Sequence, residues 1–249
     1  MASLSLEQTL SSWLVTYLTG EVPAQTRRVP ADFGRLSSQI RPGDVLLVEG
    51  RTRISQVIKY LTQSSWSHSA IYVGDALLRW GGAEAQAALR RWGPEAAQLL
   101  VESDLREGVI VVPLSKYRDH NLRLCRPHAL PGEVLEKVLG EIFRHLGFRY
   151  DRRNILDLAR YLTPFHLLPQ RFRRKTLYLG SSGSREVICS ALIAKAFYKA
   201  GFPIQPESGA IAGPGGRSLV QRHPSFIMPR DFDLSVQFEI LKPYPSGGA

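Results

Sequence analysis

The sequence predicts an α+β fold, in which a sheet formed by the middle of the chain packs against helices before and after it. Three observations carry this prediction. Short apolar runs bounded by turn residues recur along residues 45–126, which is typical of strands. Stretches with apolar residues spaced three to four apart flank or interrupt them, which is typical of amphipathic helices. No repeat and no change in composition marks a boundary, so we expect one domain over residues 1–249.

The helices are predicted from apolar spacing together with glycine and proline at their ends. The first is an amphipathic helix within residues 1–22, ended by Gly20 and Pro23. Pro131-Gly132 opens another, and Gly201 and Pro203 end the last. In all we expect helices within residues 1–22 and at 54–61, 133–146, 154–161 and 187–200.

The strands are predicted from short runs rich in valine, leucine and isoleucine. We expect them at residues 45–48, 70–73, 99–102, 108–114, 121–126 and 237–241. Residues 75–98, rich in alanine, arginine and tryptophan, predict a helical or loop insertion. Its Trp80 and Trp92 either cover a cleft or pack on the sheet. Residues 205–217, rich in glycine, proline and serine, predict a flexible loop.

The composition limits the classes of protein. A chain of 249 residues with 44% hydrophobic and 22% charged residues fits a globular protein. The formal net charge of +10 favours an anionic neighbour, without distinguishing a membrane surface, a nucleic acid or an acidic substrate. No segment approaches the roughly 18 apolar residues that span a bilayer, and the N-terminal segment lacks the features of an export signal. We therefore expect a cytoplasmic protein, with peripheral membrane contact left open.

The chain has two cysteines, Cys125 and Cys189, in different contexts. A disulfide scaffold is therefore not expected. Cys125, within the strand-like LRLCR, is interpreted as a buried apolar residue. Neither a CxxC motif nor a histidine and cysteine cluster with zinc spacing occurs, so we expect no metal and no cofactor.

Cys189 and His68 carry the chemistry that the sequence indicates. Cys189 lies in the first turn of the helix predicted at 187–200, where unpaired N–H groups and the helix dipole favour a thiolate. An attacking thiolate needs a base, and histidine titrates near neutral pH. His68, just before strand 70–73, presents such a ring. The other ring nitrogen needs an acceptor, and Glu102, at the end of strand 99–102, offers a carboxylate.

The segments around these three residues resemble one family. They are WSHSAIYVG around His68, LLVES before GVIVVPL around Glu102, and EVICSALIAKAFYKAG around Cys189. They resemble the circularly permuted papain-like hydrolases, the YiiX/YebB-like branch of the NlpC-type superfamily, which are relatives of lecithin retinol acyltransferase. RPGDVLLV, GFRYDRRN and MPRDFDLS resemble further elements of that family, so the resemblance covers residues 40–241.

The resemblance implies a circularly permuted papain-like fold, with a central antiparallel sheet packed against helices that include the nucleophile helix. It implies that Cys189 is the nucleophile, that His68 is the general base and acid, and that Glu102 orients the ring. In ordinary papain-like enzymes the cysteine helix precedes the histidine strand. Here the cysteine follows the histidine, which is the order that permutation produces.

Several assignments within the site stay open. Asp104 and Glu107 lie close enough to Glu102 that a slip of a few residues in the alignment would give one of them its role. Trp66, Ser67 and Tyr150 are interpreted as substrate-binding residues. For Tyr150 and its neighbour Asp151, and for Ser67 and Ser69 beside the histidine, a purely structural role is the alternative.

The expected reaction is acyl transfer from an amide or ester through a thioester on Cys189. Water as the acceptor makes the protein a hydrolase, and an amine or alcohol makes it an acyltransferase. The substrate is expected to be a small molecule, a lipid, an acylated molecule or a peptide.

A basic segment between residues 161 and 179 suggests an anionic membrane surface as a second partner. Bulky apolar residues are interleaved there with cations, namely Arg171, Arg173, Arg174 and Lys175. A solvated basic loop is the alternative interpretation. A nucleic-acid-binding module is not favoured, because the usual recognition motifs do not occur. A scaffold that binds without turnover also stays open.

Overall fold

A computed structural model describes residues 16–22, 32–148, 189–204, 210–213, 216–219, 223–224 and 227–241. It contains eight strands within these ranges: β1 (Val45–Val48), β2 (His68–Gly74), β3 (Leu99–Asp104), β4 (Gly108–Pro113), β5 (Leu122–Pro127), β6 (Ala210–Gly213), β7 (Gly216–Leu219) and β8 (Phe238–Leu241). The helices are α1 (Phe33–Gln39), α2 (Arg53–Thr62), α3 (Ala76–Trp80), α4 (Gly82–Trp92), α5 (Gly132–Phe143), α6 (Cys189–Lys199) and α7 (Pro229–Leu234). Short 3₁₀ turns cover Gly93–Ala97 and Leu114–Tyr117.

Six strands form one antiparallel sheet in the order β4-β3-β2-β1-β5-β8. The fold is therefore α+β, with β1 and β2 in the centre and β4 and β8 at the edges. The register pairs Val48 with His68 and Ala70 with Glu102. Strands β6 and β7 form a separate two-stranded sheet.

Both faces of the large sheet are covered, which explains why β1 and β2 are apolar runs without alternation. The helix face, defined by Leu47, Ile71 and Val101, packs against Leu192, Ile193 and Phe197 of α6 and against α5. The turn face, defined by Leu46, Ala70 and Leu100, packs against Leu36 of α1 and Tyr117 of the second 3₁₀ turn.

The helices begin and end where local chemistry dictates. The Thr52 side chain accepts the Ser55 N–H at the start of α2, and Gln63 ends that helix in the left-handed conformation at φ 49°. Asp32 caps α1 by accepting the Arg35 N–H at 3.0 Å. Helix α1 buries Leu36, and α2 buries Ile54, Ser55 and Thr62, while their other residues are half-buried or exposed.

Most predicted elements are present. The predicted strands correspond to β1 to β5 and β8, and the predicted helices at 54–61, 133–146 and 187–200 correspond to α2, α5 and α6. The insertion at residues 75–98 forms α3, α4 and a 3₁₀ turn. Trp80 of this insertion packs edge-on against Phe143 at 5.5 Å between ring centroids, although it stays 53% exposed.

Two expectations were wrong or incomplete. Residues 210–213 and 216–219, expected within or beside a flexible loop, form the paired strands β6 and β7, with Gly213 opposite Gly216 and Ala210 opposite Leu219. Helix α1 was not predicted. The expected helix at 154–161 and most of that within 1–22 lie outside the described residues, although residues 16–18 are helical. That the whole chain is one domain stays a prediction.

Candidate active site

Cys189 is held against the sheet by the helix that carries it. Helix α6 packs on β2 and β3, and its side chains Leu192, Ile193 and Phe197 are buried in the helix face. The neighbouring Ser190 donates its hydroxyl to the carbonyl of Ile227 at 2.6 Å. Cys189 itself is 7% exposed. The sulfur therefore lies on a rigid element beside the start of β2.

Helix α6 is also braced from its outer side by α5. The Lys199 ammonium contacts the carboxylate of Glu141, a residue only 6% exposed. Lys195, one helical turn before Lys199 in α6, places its Nζ 3.2 Å from His145 Nε2. These contacts connect the second half of α6 to α5 and to the residues just after it.

His68 lies between the cysteine and a buried carboxylate. As the first residue of β2 it lies at the end of the strand, and its side chain is 22% exposed. Its Nε2 is 3.1 Å from Glu102 Oε2. The charge of Cys189 and a hydrogen bond with its thiol are among the interactions that raise the pKa of His68, so the thiol lies beside the ring. The three side chains therefore form a relay in the order Cys189, His68, Glu102.

The alternation of the strands explains how a relay spans the sheet. Glu102 pairs with Ala70 in the register, and Ala70 belongs to the turn face. Ser69, between His68 and Ala70, points to the opposite face and contacts Cys189. Because His68 lies at the strand end, its ring reaches the cysteine on one face and the glutamate on the other.

The electrostatics of the pair favour a thiolate and an imidazolium. Burial alone raises the pKa of Cys189, but the charge and hydrogen bond of His68 and the backbone N–H of Ser69 outweigh it, so the pKa is lowered. Burial alone lowers the pKa of His68, but Cys189 and Glu102 outweigh it and raise the pKa to about 10. Both shifts therefore act in the direction of the thiolate and imidazolium pair.

The Ser69 hydroxyl contributes less to this balance than the Ser69 N–H. The hydroxyl also faces Cys189 and lowers its pKa, but among the described residues it makes no hydrogen bond of good geometry. A buried hydroxyl that is only loosely engaged adds little stabilisation. Ring and backbone N–H groups therefore dominate the environment of the sulfur.

Glu102 is a carboxylate with several strong partners. It is 2% exposed, and besides His68 it contacts the Tyr117 hydroxyl through Oε2 and the Lys116 ammonium through Oε1. Burial alone raises the pKa of Glu102, but His68 and Lys116 outweigh it and lower the pKa to about 2. Glu102 is therefore ionised at neutral pH.

Neither alternative to Glu102 reaches the histidine. Asp104 accepts the N–H groups of Arg106 and Glu107 at 2.7 and 3.0 Å, and so stabilises the turn between β3 and β4. The Glu107 side chain is 53% exposed, and its carboxylate lies 3.9 Å from Arg91. Glu102 is thus the one of the three that contacts His68.

Lys116 and Tyr117 were not predicted from the sequence. The last residue of β4, Pro113, pairs with Leu99 at the start of β3, three residues before Glu102. The following 3₁₀ turn runs back over the turn face and buries Tyr117 there. The one available signal in the sequence was that Lys116 and Tyr117 follow β4, the strand expected next after the strand that carries Glu102.

Trp66 and Ser67 make structural contacts. Trp66 is 4% exposed, and its indole N–H donates to Asp233 at 3.0 Å. Ser67 is buried and accepts the Gly50 N–H at 3.0 Å. A side chain added at Gly50 would meet the Ser67 hydroxyl, so the two segments fit closely. These contacts give both residues a structural role, and their predicted role in substrate binding stays a prediction.

The remaining predicted site residues lie outside the described residues. They are Tyr150, Arg171, Arg173, Arg174 and Lys175. Their roles in substrate or membrane binding stay predictions. Within the described residues, no helix is both long and apolar enough to cross a membrane.

Cys125 lies apart from this site. It is fully buried in β5 on the helix face, and both cysteines are free. Burial raises the pKa of Cys125 well above the ordinary range. Its position as a buried apolar residue agrees with the prediction.

Comparisons with known proteins give a fold relationship. No family model matches the chain, and no curated protein matches it. Among solved structures, the metalloprotein yiiX from Escherichia coli O157:H7 is similar, with a TM-score of 0.51 and 16% sequence identity over 83% of this chain and 99% of that chain. At this identity the likeness shows the fold alone, and at that level it agrees with the resemblance to the YiiX-like branch.

The term metalloprotein applies to yiiX and not to this chain. In the part of this chain that the structure describes, no group of three or more histidine, cysteine, aspartate or glutamate residues could hold a metal ion. The ring of His68 lies between Cys189 and Glu102, so the donors of these three residues do not converge on one point.

Proposed function

We propose that the protein is a cysteine-dependent hydrolase of an amide or ester bond, working through a thioester on Cys189. The observation that carries this proposal is the relay of Cys189, His68 and buried Glu102. A lowered pKa for the thiol, a base beside it and a group that orients the base are the components of nucleophilic catalysis by cysteine.

We also propose that the fold is a circularly permuted papain-like one. Its support is the order of the elements: β2 with His68 and β3 with Glu102 precede α6 with Cys189, and α6 packs against both strands. The expected papain-like arrangement has the same contacts but places the cysteine helix first in the chain.

In the proposed reaction the Cys189 thiolate attacks the carbonyl carbon of the substrate and a C–S bond forms. The Cys189 backbone N–H is the donor that we assign to the resulting oxyanion. The His68 imidazolium gives its proton to the leaving amine or alkoxide as the C–N or C–O bond breaks. Water then loses a proton to His68 and attacks the thioester, which releases the acid and restores the thiolate.

The acceptor and the substrate class define the remaining alternatives. An amine or alcohol in place of water would make the protein an acyltransferase by the same steps. A lipid, an acylated molecule and a peptide all present a suitable carbonyl. Contact with an anionic membrane through residues 171–175 would favour a lipid substrate and stays a prediction.

The test is to trap the acyl-enzyme with simple esters. Wild-type protein is mixed with the p-nitrophenyl esters of acetate and octanoate, quenched in acid and analysed by peptide mass. We expect a burst of nitrophenol and an acyl group on the Cys189 peptide. Cys125→Ala is the matched control and retains both signals, because Cys125 lies in the core away from the site.

The same experiment with His68→Ala separates catalysis from simple thiol reactivity. The proposal requires that acylation of Cys189 slows in this variant, because thiolate formation depends on the imidazole. Equal acylation with and without His68, or an acyl group only on other residues, would contradict it.

A further inference from the structure

Glu102 has more partners than the orientation of one imidazole requires. A single hydrogen bond between Glu102 and His68 would be enough to orient the ring. Glu102 nevertheless also accepts from the Tyr117 hydroxyl through Oε2 and contacts the Lys116 ammonium through Oε1. Both extra partners come from one 3₁₀ turn, Leu114–Tyr117. We propose that Lys116 and Tyr117 are positioning residues of the site, which hold Glu102 ionised in a single rotamer and share its charge with His68. This inference rests on the proposed function.

The geometry divides the carboxylate into two sides. Lys116 lies at Oε1, away from the histidine, whereas Tyr117 and His68 share Oε2. A carboxylate with a cation on one oxygen and a neutral donor on the other cannot rotate without losing a strong hydrogen bond. All three donors are satisfied only when the carboxylate places one oxygen at Lys116 and the other between Tyr117 and His68.

The turn that carries the two residues is itself fixed. Tyr117 is 6% exposed in the core of the turn face, and its ring packs edge-on against His120 at 5.3 Å between centroids. The Leu114 N–H donates to the Gln98 carbonyl at 2.8 Å, just before β3. The 3₁₀ turn that carries Lys116 and Tyr117 is therefore held in place at its first and last residues, Leu114 and Tyr117. A lysine on such a turn differs from one that contacts a carboxylate on an exposed, mobile surface.

The charge on Lys116 also affects how readily His68 gives up its proton. An undivided carboxylate charge beside an imidazolium stabilises the charged ring and makes it a weaker acid. A cation on the far oxygen reduces this effect and keeps the ring able to protonate a leaving group. Of the charged and titratable groups nearby, Cys189 acts on His68, and Lys116 and the Tyr117 hydroxyl act on Glu102. Asp104 and His120 interact with Tyr117.

The first test measures His68 directly, in protein without the nucleophile. In a Cys189→Ala background, the ring nitrogens of His68 are titrated by NMR and assigned by their loss in His68→Gln. We expect Lys116→Met to raise the pKa of His68 by about one unit and Lys116→Arg to leave it near its starting value. Lys116→Gln, which keeps a hydrogen-bond donor without the charge, should behave as Lys116→Met.

This titration does not depend on whether Cys189 is reactive, because the thiol is absent. The same pKa of His68 in the Met, Gln and Arg variants, with folded backbone spectra, would overturn the role of Lys116 even if the protein is a hydrolase. An inert Cys189 would remove the proposed function and leave the titration result intact.

The second test separates positioning from stability in protein that retains Cys189. Alkylation by iodoacetamide needs only the thiolate, whereas acylation by an amide also needs a proton from His68. Lys116→Met should therefore slow acylation several-fold more than alkylation. Tyr117→Phe removes a donor but no charge, so it should slow acylation with a smaller change in the pKa of His68. Equal loss of both reactions would mean that the turn has only a structural role.

Discussion

The two cysteines occupy regions of similar burial and opposite chemistry. Cys125 is fully buried in β5 and Cys189 is 7% exposed in α6, so solvent access hardly distinguishes them. The pKa of Cys125 is raised because its surroundings are mainly apolar, and the pKa of Cys189 is lowered because His68 and the Ser69 N–H lie beside it. Burial therefore does not make a cysteine inert. The groups beside the sulfur decide whether the pKa of a buried thiol is raised or lowered.

The strongest test of this comparison removes each sulfur in turn. Cys189→Ala should lower ester hydrolysis by about 10³-fold or more, because no other group can form the thioester. Cys125→Ala should leave hydrolysis within about twofold and lower the free energy of unfolding by about 1 kcal/mol, because it opens a small space in the core. Steady-state rates and urea unfolding of both variants give the comparison, and a similar loss of activity in both would break it.

Removing the charge of Glu102 should have the next largest effect. Glu102→Gln keeps the shape of the side chain but offers an amide to Lys116, Tyr117 and His68, which all donate to the carboxylate. We expect amide hydrolysis to fall roughly 10²-fold, since the ring loses both its orientation and its counter-charge. Glu107→Gln, an exposed change nearby, is the matched control. A normal rate in Glu102→Gln would mean that the relay ends at His68.

Glu102 should also be visible in the stability of the protein in acid. Its folded pKa of about 2 lies below the ordinary value of 4.5, so its contribution is present above pH 4.5 and is lost as the pH falls towards 2. Urea unfolding at pH 5, 4 and 3 should show a steeper loss in wild-type protein than in Glu102→Gln. Other carboxylates titrate in both proteins and cancel in the difference. If stability fell equally with pH in both proteins, the pKa of Glu102 would not be lowered in the folded state.

The smallest effect concerns the edge of the site. Trp66→Phe removes the indole N–H that donates to Asp233 and should cost about 1 kcal/mol in the free energy of unfolding. Acylation of Cys189 should change little, because the ring is buried in the helix face. A large change in KM with unchanged stability would instead support the predicted role of Trp66 in substrate binding.

The sequence predicted the elements whose apolar patterns are long or strongly marked. The runs of β1 and β2 and the apolar face of α5 are of this kind, and they fix the centre of the sheet. Helix α1 escaped because it is seven residues long and buries only Leu36. The hairpin of β6 and β7 escaped because its short strands contain few apolar residues and so resemble a loop.

The same limit applies within the site. Cys189, His68 and Glu102 could be found because each adjoins a marked helix or strand. Their contact depends on the register that pairs Ala70 with Glu102, which periodicity alone does not give. Lys116 and Tyr117 reach Glu102 only because a 3₁₀ turn folds back over the sheet, and nothing local in the sequence encodes that path.

The most direct measurement is the rate of iodoacetamide labelling at Cys189 and Cys125 as a function of pH, read by peptide mass in wild type and His68→Ala. We expect Cys189 to label at pH values well below about 8.5, the pKa of an ordinary thiol. We also expect labelling at neutral pH to fall about thirtyfold in His68→Ala and Cys125 to stay unlabelled in the folded protein. An ordinary thiol profile at Cys189 in both proteins would mean that His68 does not activate this cysteine.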